Sequence, residues 1–244
     1  MPESAICLFA HPDDPEFVAG GTIARWTDAG ATVSYVIMTD GRAGDMGMRG
    51  KPDPPSEKEL VRTRQEEQRA AGRLLGVDDI TFLGHHDGEL MHTLELRRQL
   101  VREIRKRKPQ AAVLFDPQRR LMPGYVQHPD HWTSGEAALA ALFPLAGTPR
   151  GMPELRAEGY EPHAVPDLYL VSALAPNLQI DITATIDRKI AAMRCHRSQV
   201  ADPERTDGLM RAMAQAASGE TGYEYAEAFH FIRIGARDLD IALK

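Results

Sequence analysis

The chain has 244 residues, 43% of them hydrophobic and 26% charged, with a formal net charge of −6 at pH 7. That balance suits a soluble globular protein and argues against a nucleic-acid or anionic-membrane partner, and 6% aromatics leave few platforms for stacking bases. No apolar run reaches the 18 residues needed to span a bilayer, and two cysteines without a CxxC partner, Cys7 and Cys195, exclude a disulfide framework and a thiolate zinc site.

Residues 5–10 (AICLFA) are predicted to form a buried strand, preceded by Glu3 and too short for the apolar core of a signal peptide, so a cytoplasmic protein is expected. A helix over 17–29 ends at Gly30, and 32–38 is the second strand. Ser56 with Glu59 three residues later is a capping box opening a helix over 56–75, which stops at Gly76. A short strand over 80–83, a basic helix over 94–108 and a strand over 111–115 follow. An Ala-rich helix over 133–142, a strand over 168–171, helices over 186–196 and 205–217, and a strand over 229–234 complete the reading. Repeated strand-then-helix order predicts an α/β fold: one domain over 1–244, a three-layer Rossmann-like, mostly parallel sheet with helices on both faces. In such sheets the site lies beyond the carboxyl ends of the strands. Two stretches, 39–55 with glycine at 41, 44, 47 and 50, and 144–166, read as mobile lids. Arg42, Arg49 and Lys51 on the first read as a solvated loop, and the basic run from Arg97 to Lys108 as a solvated helix face.

Two clusters carry the chemistry. His11-Pro12-Asp13-Asp14-Pro15-Glu16 follows the first strand, with two prolines stiffening the turn. Helix-start carboxylates are often only caps, which suits Glu16; a histidine beside a double aspartate is harder to explain that way. His128-Pro129-Asp130-His131 follows the 111–115 strand and opens a helix; two histidines three apart share a face, and Asp130 can orient a ring from behind. Two histidines and one carboxylate give three ligands and an open position, the pattern of a catalytic zinc, and a further free carboxylate could serve as base. There is no glycine fingerprint for a nucleotide.

The signature Ala10-His11-Pro12-Asp13-Asp14-Pro15-Glu16 resembles the AHPDD-x-E motif of the PIG-L/LmbE family of zinc-dependent N-deacetylases. Thr39-Asp40-Gly41, residues 64–76 (RQEEQRAAGRLLG), residues 83–90 (LGHHDGEL), His128 to His131 (HPDH), and the Lys189-to-Gln199 segment are similar to further family motifs in the same order. The resemblance runs from about residue 5 to 200 and implies an LmbE-like fold and removal of an acetyl group from an N-acetylglucosamine-type amino sugar or its conjugate. It implies zinc held by His11, Asp14 and His131, Asp13 as general base, His128 as oxyanion stabiliser, and Arg64 toward the substrate pocket, with Arg62 and Arg69 as neighbours that could take that place. Fe2+ or Co2+ suits the same donors. Asp87 is expected on the substrate side, buttressing its loop rather than binding metal, and His196 with Gln199 is expected to line the pocket from the C-terminal helix. Family members are often oligomers, so a homo-oligomer is expected. A deacylase of another amide, or a zinc- or carbohydrate-binding member without catalysis, is the alternative; the retained Asp13 argues against the latter.

Overall fold

The structure, a computed structural model, describes residues 1–44 and 54–235. The strands among them are β1 (Ser4–Phe9), β2 (Thr32–Thr39), β3 (Asp79–His85), β4 (Ala111–Phe115), β5 (Leu121–Met122), β6 (Tyr125–Val126), β7 (Asp167–Val171), β8 (Leu178–Asp181) and β9 (Ala226–Arg233). The helices are α1 (Asp14–Asp28), α2 (Glu57–Leu74), α3 (Leu94–Arg107), α4 (Pro129–Ala140), α5 (Pro153–Ala157), α6 (Ile186–Met193) and α7 (Pro203–Ser218). Seven strands form one sheet in the order β3-β2-β1-β4-β7-β9-β8. The pairs β1–β2, β2–β3, β1–β4 and β4–β7 are parallel, and β9 runs antiparallel to both neighbours.

Strand β1 shows why both faces are covered. Its Cys7 and Phe9 enter one apolar cluster with Ile23 of α1, Ala71 of α2 and Ala192 of α6. Its Ile6 and Leu8 enter the opposite cluster with Leu100 and Ile104 of α3 and Ala137 of α4. Side chains alternate across a strand, so a strand apolar at every position demands helices on both sides. Each fully buried Leu or Ile contributes roughly 1.5–3 kcal/mol.

The order β2-β1-β4 places a topological switch point between β1 and β4: the chain leaves β1 toward β2 and later returns on the other side. The loops after β1 and β4 therefore face each other across a crevice. Proline at the first turn of α4, with His128 as its N-cap, starts that helix at Pro129, four residues ahead of the expected 133.

Three features depart from the expected pattern. The two-residue strands β5 and β6, and the half-buried edge strand β8, carry too little periodicity to announce themselves. The 144–166 stretch is not a free lid: Leu155 and Val165 are buried in the core, and Arg105 donates to the carbonyls of Leu145, Ala146, Thr148 and Gly151 at 3.0, 3.1, 3.0 and 2.6 Å. Arg105 is itself 1% exposed, so the basic run is not wholly a solvated face; its guanidinium satisfies a loop's carbonyls. Of the 39–55 stretch, residues 45–53, with Arg49 and Lys51, lie outside the described residues.

Gly135 on α4 lies against the backbone of β4, where a Cβ would overlap the Phe115 carbonyl. Gly135→Ala is expected to destabilise the fold by roughly 1–3 kcal/mol, a melting-temperature loss of about 2–12 °C for this chain length. An unchanged thermal melt would contradict this close approach.

Candidate active site

The turn after β1 folds tightly. Asp13 is the N-cap of α1 with φ 103°, a left-handed conformation that a non-glycine residue rarely adopts. Such strain costs about 1–3 kcal/mol and must be offset by the surroundings. Several bonds do so: Phe17 N–H donates to the Asp13 carbonyl at 3.0 Å, His11 N–H donates to Asp14 Oδ2 at 2.7 Å, and Asp13 N–H donates to Gln68 Oε1 at 2.8 Å. The sharp turn leaves Asp14 beside His11 and Asp13 on the cleft.

Across the crevice, α4 brings His131, its ring stacked on Phe115 at 4.1 Å between centroids. His11 Nδ1 lies 3.3 Å from His131 Nε2 and 3.5 Å from Asp14 Oδ2, and His131 Nε2 lies 3.1 Å from Asp14 Oδ1. A tetrahedral ion with bonds of about 2.0–2.1 Å holds its donor atoms about 3.4 Å apart. The two ring nitrogens have that spacing and the Asp14 carboxylate meets each of them with a different oxygen, so the three residues close around one space, and their nitrogen and carboxylate chemistry suits a divalent ion such as zinc. The far side of His11 supports the same reading. Its Nε2 faces Asp87 Oδ1 at 3.0 Å and Asp130 Oδ2 at 3.2 Å. The Nε2 hydrogen is therefore directed to carboxylates, and the Nδ1 lone pair is left toward Asp14 and His131. Asp130 is fixed in turn by the N–H groups of Gly88 and Leu90, at 2.8 and 3.3 Å.

The electrostatics follow from so many carboxylates in one place. Burial alone would lower the His11 pKa, but hydrogen bonds to Asp130, Asp14 and Asp87 hold it well above the ordinary histidine range. Burial would raise Asp14, but the His131 charge and bonds to His11 and His131 hold it far below the usual carboxylate range. Burial pushes the Asp13 carboxyl up; the Arg64 guanidinium opposes this and the Asp14 charge assists it. Burial, and after it the His11 charge, lowers the pKa of His128. His128 Nδ1 accepts the Asp130 N–H at 3.2 Å, so the neutral ring carries its hydrogen on Nε2 as a donor.

These groups line a cleft of about 440 Å³ whose wall also includes Phe17, Ala43, Gly44, Met193 and Gln199. His11, Asp13, Asp14, His128 and His131 meet there, drawn from the ends of β1 and β4. Arg64 and Asp87, expected to bind substrate, reach the cleft wall but turn their polar atoms inward. Arg64 donates to the Pro12 carbonyl at 2.6 Å, the Gly41 carbonyl at 2.8 Å and Asp13 Oδ2 at 3.1 Å. Asp87 faces His11 and accepts the Ala43 N–H at 3.3 Å. His196, expected at the pocket, is 0% exposed and outside the cleft lining; it packs behind the site against Glu16, while Gln199 does reach the cleft. Arg42 pairs with Asp40. The expected motif lysine, Lys189, is buried against Glu227 at 2.6 Å and ties α6 to β9. Gln68 and Phe17 were not singled out from the sequence. The clue for Gln68 is its place one turn after Arg64 on the buried face of α2, where Leu60, Arg64, Gln68 and Ala71 recur.

The chain matches the family described as PIG-L, GlcNAc-PI de-N-acetylase, over residues 6–142. A diacetylchitobiose deacetylase from Thermococcus kodakarensis is 32% identical over 232 residues, spanning 94% of this chain and 83% of its own. A 1D-myo-inositol 2-acetamido-2-deoxy-α-D-glucopyranoside deacetylase from Saccharopolyspora erythraea is 29% identical over 238 residues, spanning 79% of this chain and 82% of its own. The solved structure of an N,N'-diacetylchitobiose deacetylase from Pyrococcus horikoshii, complexed with an inhibitor, superposes with a TM-score of 0.86 at 31% identity, covering 95% of this chain and 84% of that one.

Asp130→Ala removes one of the carboxylates behind His11 and is expected to weaken Zn2+ binding by about 10- to 100-fold, read by competition with a chromogenic chelator. Unchanged affinity would mean that Asp130 does not orient the ligand.

Proposed function

The chain belongs to the PIG-L family, and from that premise we propose that it is a zinc-dependent N-deacetylase acting on an N-acetylglucosamine-type amino sugar or its conjugate. One observation carries the reading. The Asp13 carboxylate stands in the cleft beside the three-donor set and is not part of it. A module that only bound metal or sugar would have no use for a base held at the cost of backbone strain.

His11, Asp14 and His131 would hold the ion. When bound, zinc supplies Lewis acidity and lowers the pKa of a water from about 15.7 toward about 7. Asp13 takes the proton of the attacking water as a bond forms to the acetamide carbonyl carbon. Arg64 keeps the Asp13 carboxylate facing the cleft. His128 Nε2–H donates to the developing oxyanion, its ring fixed by the Asp130 N–H. Asp13 then returns the proton to the amine as the C–N bond breaks, giving acetate and the free amino sugar. The cleft has the volume of sites for drug-sized ligands, room for the reacting sugar and part of its aglycone.

The same reading makes residues 1–244 one catalytic domain, working on a small molecule in the cytoplasm as a homo-oligomer. Among the described residues no helix is long and apolar enough to cross a membrane.

The test is acetate release from free N-acetylglucosamine, its inositol and malate glycosides and diacetylchitobiose, with added zinc and with chelator. Chelation should abolish turnover and zinc restore it. Asp13→Asn should lower kcat by about 10²- to 10⁴-fold and His128→Ala by about 10²- to 10³-fold, with zinc still bound in both. Full turnover by zinc-loaded Asp13→Asn, or no release from any substrate, would contradict the proposal.

A further inference from the structure

A buried chain of three side chains lies behind the strained residue. Asp13 N–H donates to Gln68 Oε1 at 2.8 Å, and Gln68 Nε2 donates to both oxygens of Glu16 at 2.9 and 3.0 Å. His196 Nε2 lies 3.2 Å from Glu16 Oε2. Gln68, Glu16 and His196 are each 0% exposed and none lines the cleft, so none can touch a substrate there.

The polarity of this chain has one sense. The backbone N–H of Asp13 can only donate, and an ionised Glu16 can only accept. A side-chain amide satisfies both at once, oxygen forward and nitrogen back. A carboxylate at position 68 would face Glu16 with like charge, and an apolar residue would leave the Asp13 N–H and a buried carboxylate short of partners. Arg64, one turn earlier on α2, holds the same aspartate from the other side, through the Pro12 carbonyl and Asp13 Oδ2.

We propose that Gln68, its amide oriented by Glu16 and His196, is a positioning residue for catalysis: it holds the Asp13 backbone in the left-handed conformation that sets the base in the cleft. Asp14, the next residue, then faces His11 and His131, so one turn separates base from ligand. The proposal rests on the deacetylase reading above. It also accounts for two residues of the recognised motifs, Glu16 and His196, that touch neither the three donor atoms nor the cleft.

The test is a double-mutant cycle of Gln68→Met with Asp13→Asn, with KM, bound zinc and melting temperature measured for all four proteins. Alone, Gln68→Met should lower kcat by about 10- to 100-fold, with KM changed less than about 2-fold and zinc content unchanged. With Asp13→Asn already present, where no base remains to be positioned, it should change residual turnover by less than about 2-fold. The same loss in both backgrounds would show a general structural role and overturn the proposal, as would an unchanged kcat. If Gln68→Met does not fold, Glu16→Gln, which keeps size but puts an amide nitrogen in place of one of the two oxygens that accept from Gln68, goes through the same cycle under the same criteria. Absence of acetate release by the unmodified protein would overturn the deacetylase reading itself, a result distinct from a cycle that fails in an active enzyme.

Discussion

The site depends on how a single imidazole is shared. His11 presents Nδ1 to Asp14 and His131 and Nε2 to Asp87 and Asp130. Three carboxylates, Asp14, Asp87 and Asp130, from the ends of β1, β3 and β4, thus crowd around two histidines, with Arg64 beside Asp87 and the neighbouring Asp13. Buried negative charge at that density is unfavourable unless a cation joins it. The raised His11 pKa expresses that demand for a proton; a divalent ion held by the same donors would meet it more fully.

That convergence follows from topology before it follows from any one side chain. The switch point between β1 and β4 opens a crevice at the carboxyl edge, and residues that follow β1, β2 and β3, among them Asp13, Ala43, Gly44 and Asp87, line it. Close backbone approaches hold the edges in place: Gly135 brings α4 against β4, and Gly41, at φ +70°, admits the Arg64 guanidinium where a Cβ would lie 2.6 Å from Nη1. The proposed base Asp13 and the proposed ligand Asp14 are adjacent in sequence, and only the strained turn at Asp13 gives them different neighbours. Strain at this position is thus part of how one short motif supplies two chemical roles.

Much of this is legible in the residues. Continuous apolar runs such as 5–10 announce buried parallel strands, and clusters that follow such strands announce the site. Ligand-type residues at the ends of two different strands point to one another because an α/β sheet brings those ends together. Other features resist reading for physical reasons. β8 is an edge strand with mixed polarity and β5 and β6 have two residues each, so none shows a period. Arg105 sits in a run of seven basic residues, and nothing local marks it as the one that turns inward to satisfy loop carbonyls. His196 and Gln199 were expected to line the pocket together from the C-terminal helix, but α6 ends at Met193 and the two side chains lie in different places. The polar pair Glu16–Gln68 is invisible as a pair, being 52 residues apart and brought together only by the fold.

The proposed chemistry requires the ion on the Nδ1 side of His11. Anomalous difference density at the zinc edge, from crystals grown with zinc, tests it most directly. The account predicts one peak bound by His11 Nδ1, Asp14 and His131 Nε2, with His11 Nε2 still facing Asp87 and Asp130. A second trio, His11, His128 and Asp130, is also close enough to hold an ion. A peak there would contradict the account, because it would make Asp130 a ligand instead of the group that orients one and would take His128 away from the oxyanion.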